Sequence, residues 1–181
     1  MSWLLIRRVT AVFVDIVLLF LVLAPIGFLV LTALGGPPAS PSGPEVWLAI
    51  VLNFSVPTWT YFVWSDRSVR GATLGKWLLG VRVVRVMGGR LGMAQALTRT
   101  AVKLLPWETA HLSAFALSVD FTVLELRQVI GLSIANGLAV LYFVVAAWTR
   151  GRRSVHDYVA ATAVCPVPSV MEAHPPTGPA G

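Results

Sequence analysis

Hydrophobic positions along the chain gather into long, nearly uninterrupted runs separated by short polar or Gly/Pro-rich breaks. Val9 to Leu34 is apolar over about 26 residues, or about 39 Å of helix, and Asp15 is its only charge. "GGPPASPSGPE", Gly35 to Glu45, carries no Lys or Arg and reads as a linker into a second run, Val46 to Trp64. A third clear run is Val129 to Trp148. The stretch between Leu104 and Val123, "LLPWETAHLSAFALSVDFTV", is less cleanly apolar because it holds Glu108, His111 and Asp120. Runs of this length suit a hydrocarbon layer about 30 Å thick better than a soluble core. A cleaved leader headed by Arg7 and Arg8 fits the first run poorly. The run is too long, it contains a carboxylate, and no clear small-x-small cleavage site follows it.

Between the second run and Lys103 the pattern changes. "GVRVVRVMGGRLGM", residues 80 to 93, alternates apolar and basic residues with the period of a strand and breaks at Gly88-Gly89, which predicts a short strand and turn. "AQALTRTAVKLL", residues 94 to 105, is apolar at helical spacing with Arg99 and Lys103 four apart on one face, the pattern of an interfacial helix lying along the headgroups. After the last run, "HDYVAATAVCPV" predicts a turn of helix and a strand, Thr162 to Val167, that can pair with Val81 to Val86. Residues 168 to 181 form a Pro-rich tail of disordered composition, so the folded domain is expected to end near residue 167.

Composition agrees with the pattern. The chain has 181 residues, 56% of them hydrophobic and 12% charged, with a mean hydropathy of +0.77, far from the balance of a soluble domain. The net charge of +6 reads, in a membrane chain, as orientation and anionic headgroups rather than nucleic acid. The densest basic region holds Arg67, Arg70, Lys76, Arg82, Arg85, Arg90, Arg99 and Lys103, and the positive-inside rule makes it cytoplasmic. Arg150, Arg152 and Arg153 after the last run belong on the same side, so one more crossing is needed between about residues 104 and 123. The expectation is an all-α membrane protein of about four transmembrane helices, 9–34, 46–64, 104–123 and 129–148, with a small cytoplasmic strand pair and an interfacial helix. Both termini are then cytoplasmic. The one cysteine, Cys165, excludes an internal disulfide.

Few motifs carry chemistry. "GATLGKW", Gly71 to Trp77, imitates a phosphate-binding loop, but its glycines are one residue too close and Trp77 stands where a Ser or Thr is needed. The plainer reading is a tight backbone approach at Gly71 and Gly75, with Lys76 reaching lipid phosphates. Glu108 and His111 have the Glu-x-x-His spacing of di-metal bundles, but such sites need two of these pairs. His156-Asp157 can be read as an acid/base dyad, yet no nucleophile sits in frame nearby, and Asp157 also suits a helix cap. No metal, cofactor or enzymatic activity is expected.

Asp15 is harder to dismiss. An ionised aspartate mid-span costs about 2.5–3.5 kcal/mol on insertion scales, so it should face the bundle and find a partner. Arg8 lies about 10 Å away along the same helix face and leans outward, which makes it an inner-edge anchor rather than the partner. Arg82, Arg99 and Lys103 are the candidate counter-charges. Two roles stay open for Asp15, a structural ion pair and an ion or proton relay.

"RRVTAVFVDIVLLF", "GATLGKWLLGVRVVRVMGGRLGMAQALTRTAVKLLPW" and "RRSVHDYVAATAV", in this order, resemble the RDD family of prokaryotic membrane proteins, named for an arginine and two aspartates. The resemblance runs from about Arg8 to Val164. It places the family's arginine and first aspartate on Arg8 and Asp15, its His-Asp pair on His156 and Asp157, and its Gly-Lys turn on Gly75 and Lys76; Trp77 departs from a position often basic in the family. It implies an integral protein of the plasma membrane, with transport the usual suggestion and sodium/proton antiport attributed to some relatives. Four spans are few for an antiporter, so a transporter of cations, protons or another ligand implies a homo-oligomer. The competing reading is a non-catalytic scaffold or accessory subunit whose basic cytoplasmic face docks lipid or a partner.

Overall fold

A computed structural model describes residues 2–36, 40–116 and 124–167 of the chain. Helix α1, Trp3–Ala33, begins where the Ser2 hydroxyl accepts the Leu5 N–H at 3.3 Å and runs through the whole first apolar segment. Helix α2, Gly43–Ile50, starts at Ser42, whose N–H donates to the Glu45 carboxylate at 2.8 Å. It continues through a π-helical turn, Val51–Ser55, into α3, Val56–Arg67. Pro57 has no N–H and its ring crowds the carbonyl four residues back, so the rod widens just before it. A loop then leads to the short α4, Leu74–Leu78, and to strand β1, Val81–Arg85.

Helix α5, Met93–His111, passes into a second π-helical turn, Leu112–Ala116. Pro106 removes the donor that the Val102 carbonyl would use, and the Tyr142 hydroxyl of α6 supplies one at 2.7 Å. Helix α6, Leu126–Trp148, is followed by α7, Val155–Val159, and strand β2, Thr162–Pro166. The strands pair antiparallel from Val81 opposite Pro166 to Arg85 opposite Thr162, as the alternation predicted. Val81, Val83, Leu91 and Val164 form a small dry cluster beneath them.

Three helical rods are long and apolar enough to cross a membrane: Trp3–Ala33, Gly43–Arg67 and Leu126–Trp148. Their outer faces expose Phe13 (66%) and Phe28 (68%) among many apolar side chains, a surface suited to lipid and not to water. The rods run antiparallel to their neighbours. Along α1, Asp15 meets Tyr61, Phe20 stacks on Phe54, and Gly27 faces Asn53. The rod formed by α5 and its π turn lies beside Gly43–Arg67 from end to end. Arg99 meets Asp66 at one end, Glu108 takes hydrogen bonds from Ser55 and Trp59 midway, and Gly43 touches the carbonyls of Phe115 and Ala116 at the other.

The expected separate interfacial helix, 94–105, is instead the first half of this rod. Its basic pair turns inward because Asp66 and the Phe62 ring lie on that side, so Arg99 and Lys103 do not reach outward for headgroups. Residues 117–123 of the expected third crossing, and the tail 168–181, lie outside the described residues.

Candidate functional site: a buried ladder of charges

The start of α1, the end of α3, the start of α5 and the segment after α6 converge at one end of the bundle, where α4, α7 and the strand pair also sit. The sequence puts charges at each of these ends, and the fold interleaves them. Arg8, a buried residue, pairs through its guanidinium with Asp157, donates to the Gly151 carbonyl at 3.1 Å, and reaches the His156 Nε2 at 2.8 Å. Asp157 also accepts from Arg99 Nη2 at 2.9 Å and Nε at 3.1 Å, from the Thr162 hydroxyl at 3.0 Å, and from the Ser154 N–H at 2.9 Å. The other side of Arg99 pairs with Asp66, whose second oxygen accepts from the Lys76 ammonium at 2.7 Å. Arg8, Asp157, Arg99, Asp66 and Lys76 thus alternate in sign along a continuous chain, every member of it buried.

Desolvating charges costs several kcal/mol per ion, offset only when geometry and hydrogen bonding are nearly complete. Asp157 meets that condition. Burial by itself would raise its pKa, but Arg99 and Arg8 outweigh burial and hold the carboxyl well below the usual carboxylate range. His156 moves in the opposite sense to a charged partner: burial drives its pKa well below the ordinary value, against the pull of Asp157. The geometry agrees, because an arginine donates only, so the Nε2 facing Arg8 must accept and the ring is neutral with its proton on Nδ1. That Nδ1 has no hydrogen-bond partner among the described residues.

Lys103 stands beside the ladder without joining it. Its Nζ lies 3.1 Å from the centre of the Phe62 ring and has no hydrogen-bond acceptor among the described residues. Arg8, Lys76, Arg99 and Lys103 thus gather at this end of the bundle with the carboxylates Asp15, Asp66 and Asp157.

Asp15 is fully buried and is served by neutral donors: the Thr73 hydroxyl at 2.6 Å, the Tyr61 hydroxyl at 2.7 Å and the Gly75 N–H at 2.8 Å. None of Arg82, Arg99 and Lys103, the counter-charges expected from sequence, donates to it. Arg82 points out from β1 and Arg99 belongs to Asp66 and Asp157. A carboxylate with three well-placed donors needs no cation. Gly75 makes the arrangement possible, since a Cβ there would lie 2.2 Å from the Ala11 carbonyl and 2.9 Å from the Asp15 carboxylate. Gly71, at φ +60°, lets the preceding loop lie on the Val83 carbonyl.

Two further expectations are corrected. Arg8 is no headgroup anchor: α7 brings Asp157 within its reach, and the guanidinium folds inward. Lys76 does not meet lipid phosphates, because the first turn of α4 packs it over Asp66. His156 and Asp157 do stand together at the site, with Asp157 also capping α7 through the Ser154 N–H. Glu108 and His111 do not meet: the first accepts from Ser55 and Trp59, and the second lies 2.9 Å from the Trp107 carbonyl. No metal-holding group of three His, Cys, Asp or Glu side chains occurs among the described residues. Sequence reasoning missed Asp66, Tyr61 and Thr73. Asp66 carried a usable signal, being the lone carboxylate where an apolar run meets the basic region.

Apolar antiparallel rods that close one end over an alternating chain of buried charges define a helical membrane protein with an ionic core. The particular arginine and aspartates identify the group: the RDD family profile matches residues 4–161, most of the chain, and the protein belongs to the RDD family. No curated protein and no solved structure gives a significant match.

Proposed function

We propose that this chain is a non-enzymatic, oligomeric carrier of protons or small cations in the plasma membrane, and that Lys103 and Asp66 handle the proton. The observation that supports it most is the shielded Lys103 ammonium, which has no acceptor among the described residues and lies close to a carboxylate held between two other cations. Ionisable groups inside membrane bundles mark ion and proton paths, and Lys103 and Asp66 are two such groups on neighbouring rods. In this reading the rod from Met93 to Ala116 is a fourth crossing, the ladder end faces the cytoplasm, and lipid and further copies of the chain surround the exposed apolar faces. Asp15 anchors α4 and does not relay.

The test is ion flux in proteoliposomes. Protein-dependent movement of H⁺, Na⁺ or K⁺ that Lys103→Gln abolishes and Asp15→Asn leaves intact per molecule supports the carrier. Flux no greater than in empty vesicles overturns it. The orientation predicts that Cys165 resists an impermeant maleimide in intact cells and reacts after lysis.

A second reading is a scaffold, favoured by the outward-facing Arg70, Arg82, Arg85 and Arg90 beside a ladder whose five members are all paired. It predicts a stoichiometric protein partner in pull-downs and no flux.

A further inference from the structure

We infer that the cleft between the loop after α3 and the segment from β1 to Leu91 is a binding site for a single phosphate group. The cavity measures about 240 Å³ and is lined by Ser68, Arg70, Gly71, Arg82 and Arg90, with Asp66 at its floor. Pockets that enclose drug-sized ligands run from about 300 to 1,000 Å³, so this one suits one compact group and not a nucleotide.

Its chemistry is that of an anion site. Arg70, Arg82 and Arg90 all line it, and planar guanidinium forks match phosphate oxygens. The Asp66 carboxylate would repel an anion if it were free, but its two oxygens are taken by Lys76 and Arg99, which leaves the floor neutralised. The Ser68 Oγ is buried and has no hydrogen-bond partner among the described residues, and Ser68 is one of the lining residues. None of the three arginines forms an ion pair with a carboxylate of the described residues; Arg70 rests over the Trp77 ring at 5.4 Å instead.

Position selects among phosphates. Ser68 directly follows Arg67, the last residue of an apolar rod, which puts the cleft at the level where a span meets headgroups. Exposed Val69 lines it and exposed Trp77 lies under Arg70, which offers an apolar border to acyl chains. The shared ligand chemistry is a phosphate; an anionic lipid headgroup and free inorganic phosphate are its two sources. The site is independent of the carrier reading, since it needs neither Lys103 nor flux.

The experiment uses the full chain purified in a mild non-ionic detergent. Binding of dioctanoyl phosphatidylglycerol and of dioctanoylglycerol is followed by native mass spectrometry, and binding of inorganic phosphate by equilibrium dialysis. The expected result is one phosphatidylglycerol per chain and none of the phosphate-free lipid. The variant R82Q/R90Q should weaken binding at least tenfold, and S68A severalfold. R82Q alone should already weaken it severalfold, and R85Q, one charge removed likewise from β1 but outside the cleft, should change nothing. The exposed arginines are chosen so that the thermal midpoint stays at the parent value, which is measured alongside. If inorganic phosphate binds with the same variant dependence and displaces the lipid, the site takes soluble phosphate; if only the lipid binds, it takes headgroups. Binding that R85Q weakens as much as R82Q, or no binding of either phosphate probe, overturns the inference.

Discussion

Replacing Asp157 by asparagine tests the ladder at its most connected point. The carboxylate accepts from five donors: Arg8, the Nε and Nη2 of Arg99, the Thr162 hydroxyl and the Ser154 N–H. Asparagine keeps one accepting oxygen and turns an NH₂ toward the rest. With its oxygen toward Arg99, the amide confronts Arg8 and Ser154; with its oxygen toward Arg8, it confronts Arg99. Either way a buried guanidinium loses its counter-charge, which costs about 3–5 kcal/mol. For a chain of this length each kcal/mol shifts the midpoint by about 2–4 °C, so thermal unfolding in detergent should fall by about 6–20 °C. Cys165 lies on β2, three residues beyond Thr162 and opposite Arg82, and its thiol should react faster in the variant. Adding Arg8→Met removes one of the stranded cations, so the double variant should lose much less than the sum of its parts. An Asp157→Asn protein that melts within about 3 °C of the parent, or strictly additive losses, would refute the ladder as the element that closes the bundle.

Gly75→Ala should cost about 1–3 kcal/mol and lower the yield of folded protein, because its Cβ would be driven into the Ala11 carbonyl at 2.2 Å; an unchanged melting midpoint would count against the close docking of α4 on α1. Tyr61→Phe removes a hydroxyl that donates to Asp15 at 2.7 Å and accepts from Leu74 N–H at 2.9 Å, so stability should fall by about 1–3 kcal/mol in a chemical-denaturation series. Stability should also fall with pH through His156. Burial keeps the folded ring neutral, whereas the unfolded ring titrates near 6.5, so below that pH the unfolded state binds the extra proton. The slope is at most about 1.4 kcal/mol per pH unit, and His156→Gln should flatten it; a parent whose midpoint does not move between pH 6.5 and 5 would contradict a neutral buried ring.

The apolar runs were legible because a membrane-crossing helix needs only length and a near absence of charge. The strand pair was legible too, since "VRVVR" alternates with a period of two and "TAVCP" is a second short strand-like segment. Helix α5 was misread because a pair of basic residues four apart looks the same whether it points to headgroups or to Asp66. The site residues were half legible. Arg8, Asp15, His156 and Asp157 stood out as charges next to apolar sequence, but their partners did not, because a salt bridge joins residues that chain order keeps apart. Arg8 and Asp157 are 149 positions distant.

By itself, then, the sequence determined the solvent: periodicity and hydropathy require lipid around α1, the Gly43–Arg67 rod and α6, whatever their neighbours. It also determined which groups would be costly to bury. Only the tertiary structure decided how that cost is met. It gave Asp15 to three neutral donors, set Asp66 between Lys76 and Arg99, and left Lys103 over a ring. Hydrophobic burial depends on composition over a segment and can be read locally, whereas ion pairing falls off within a few ångströms and exists only once distant segments are in place.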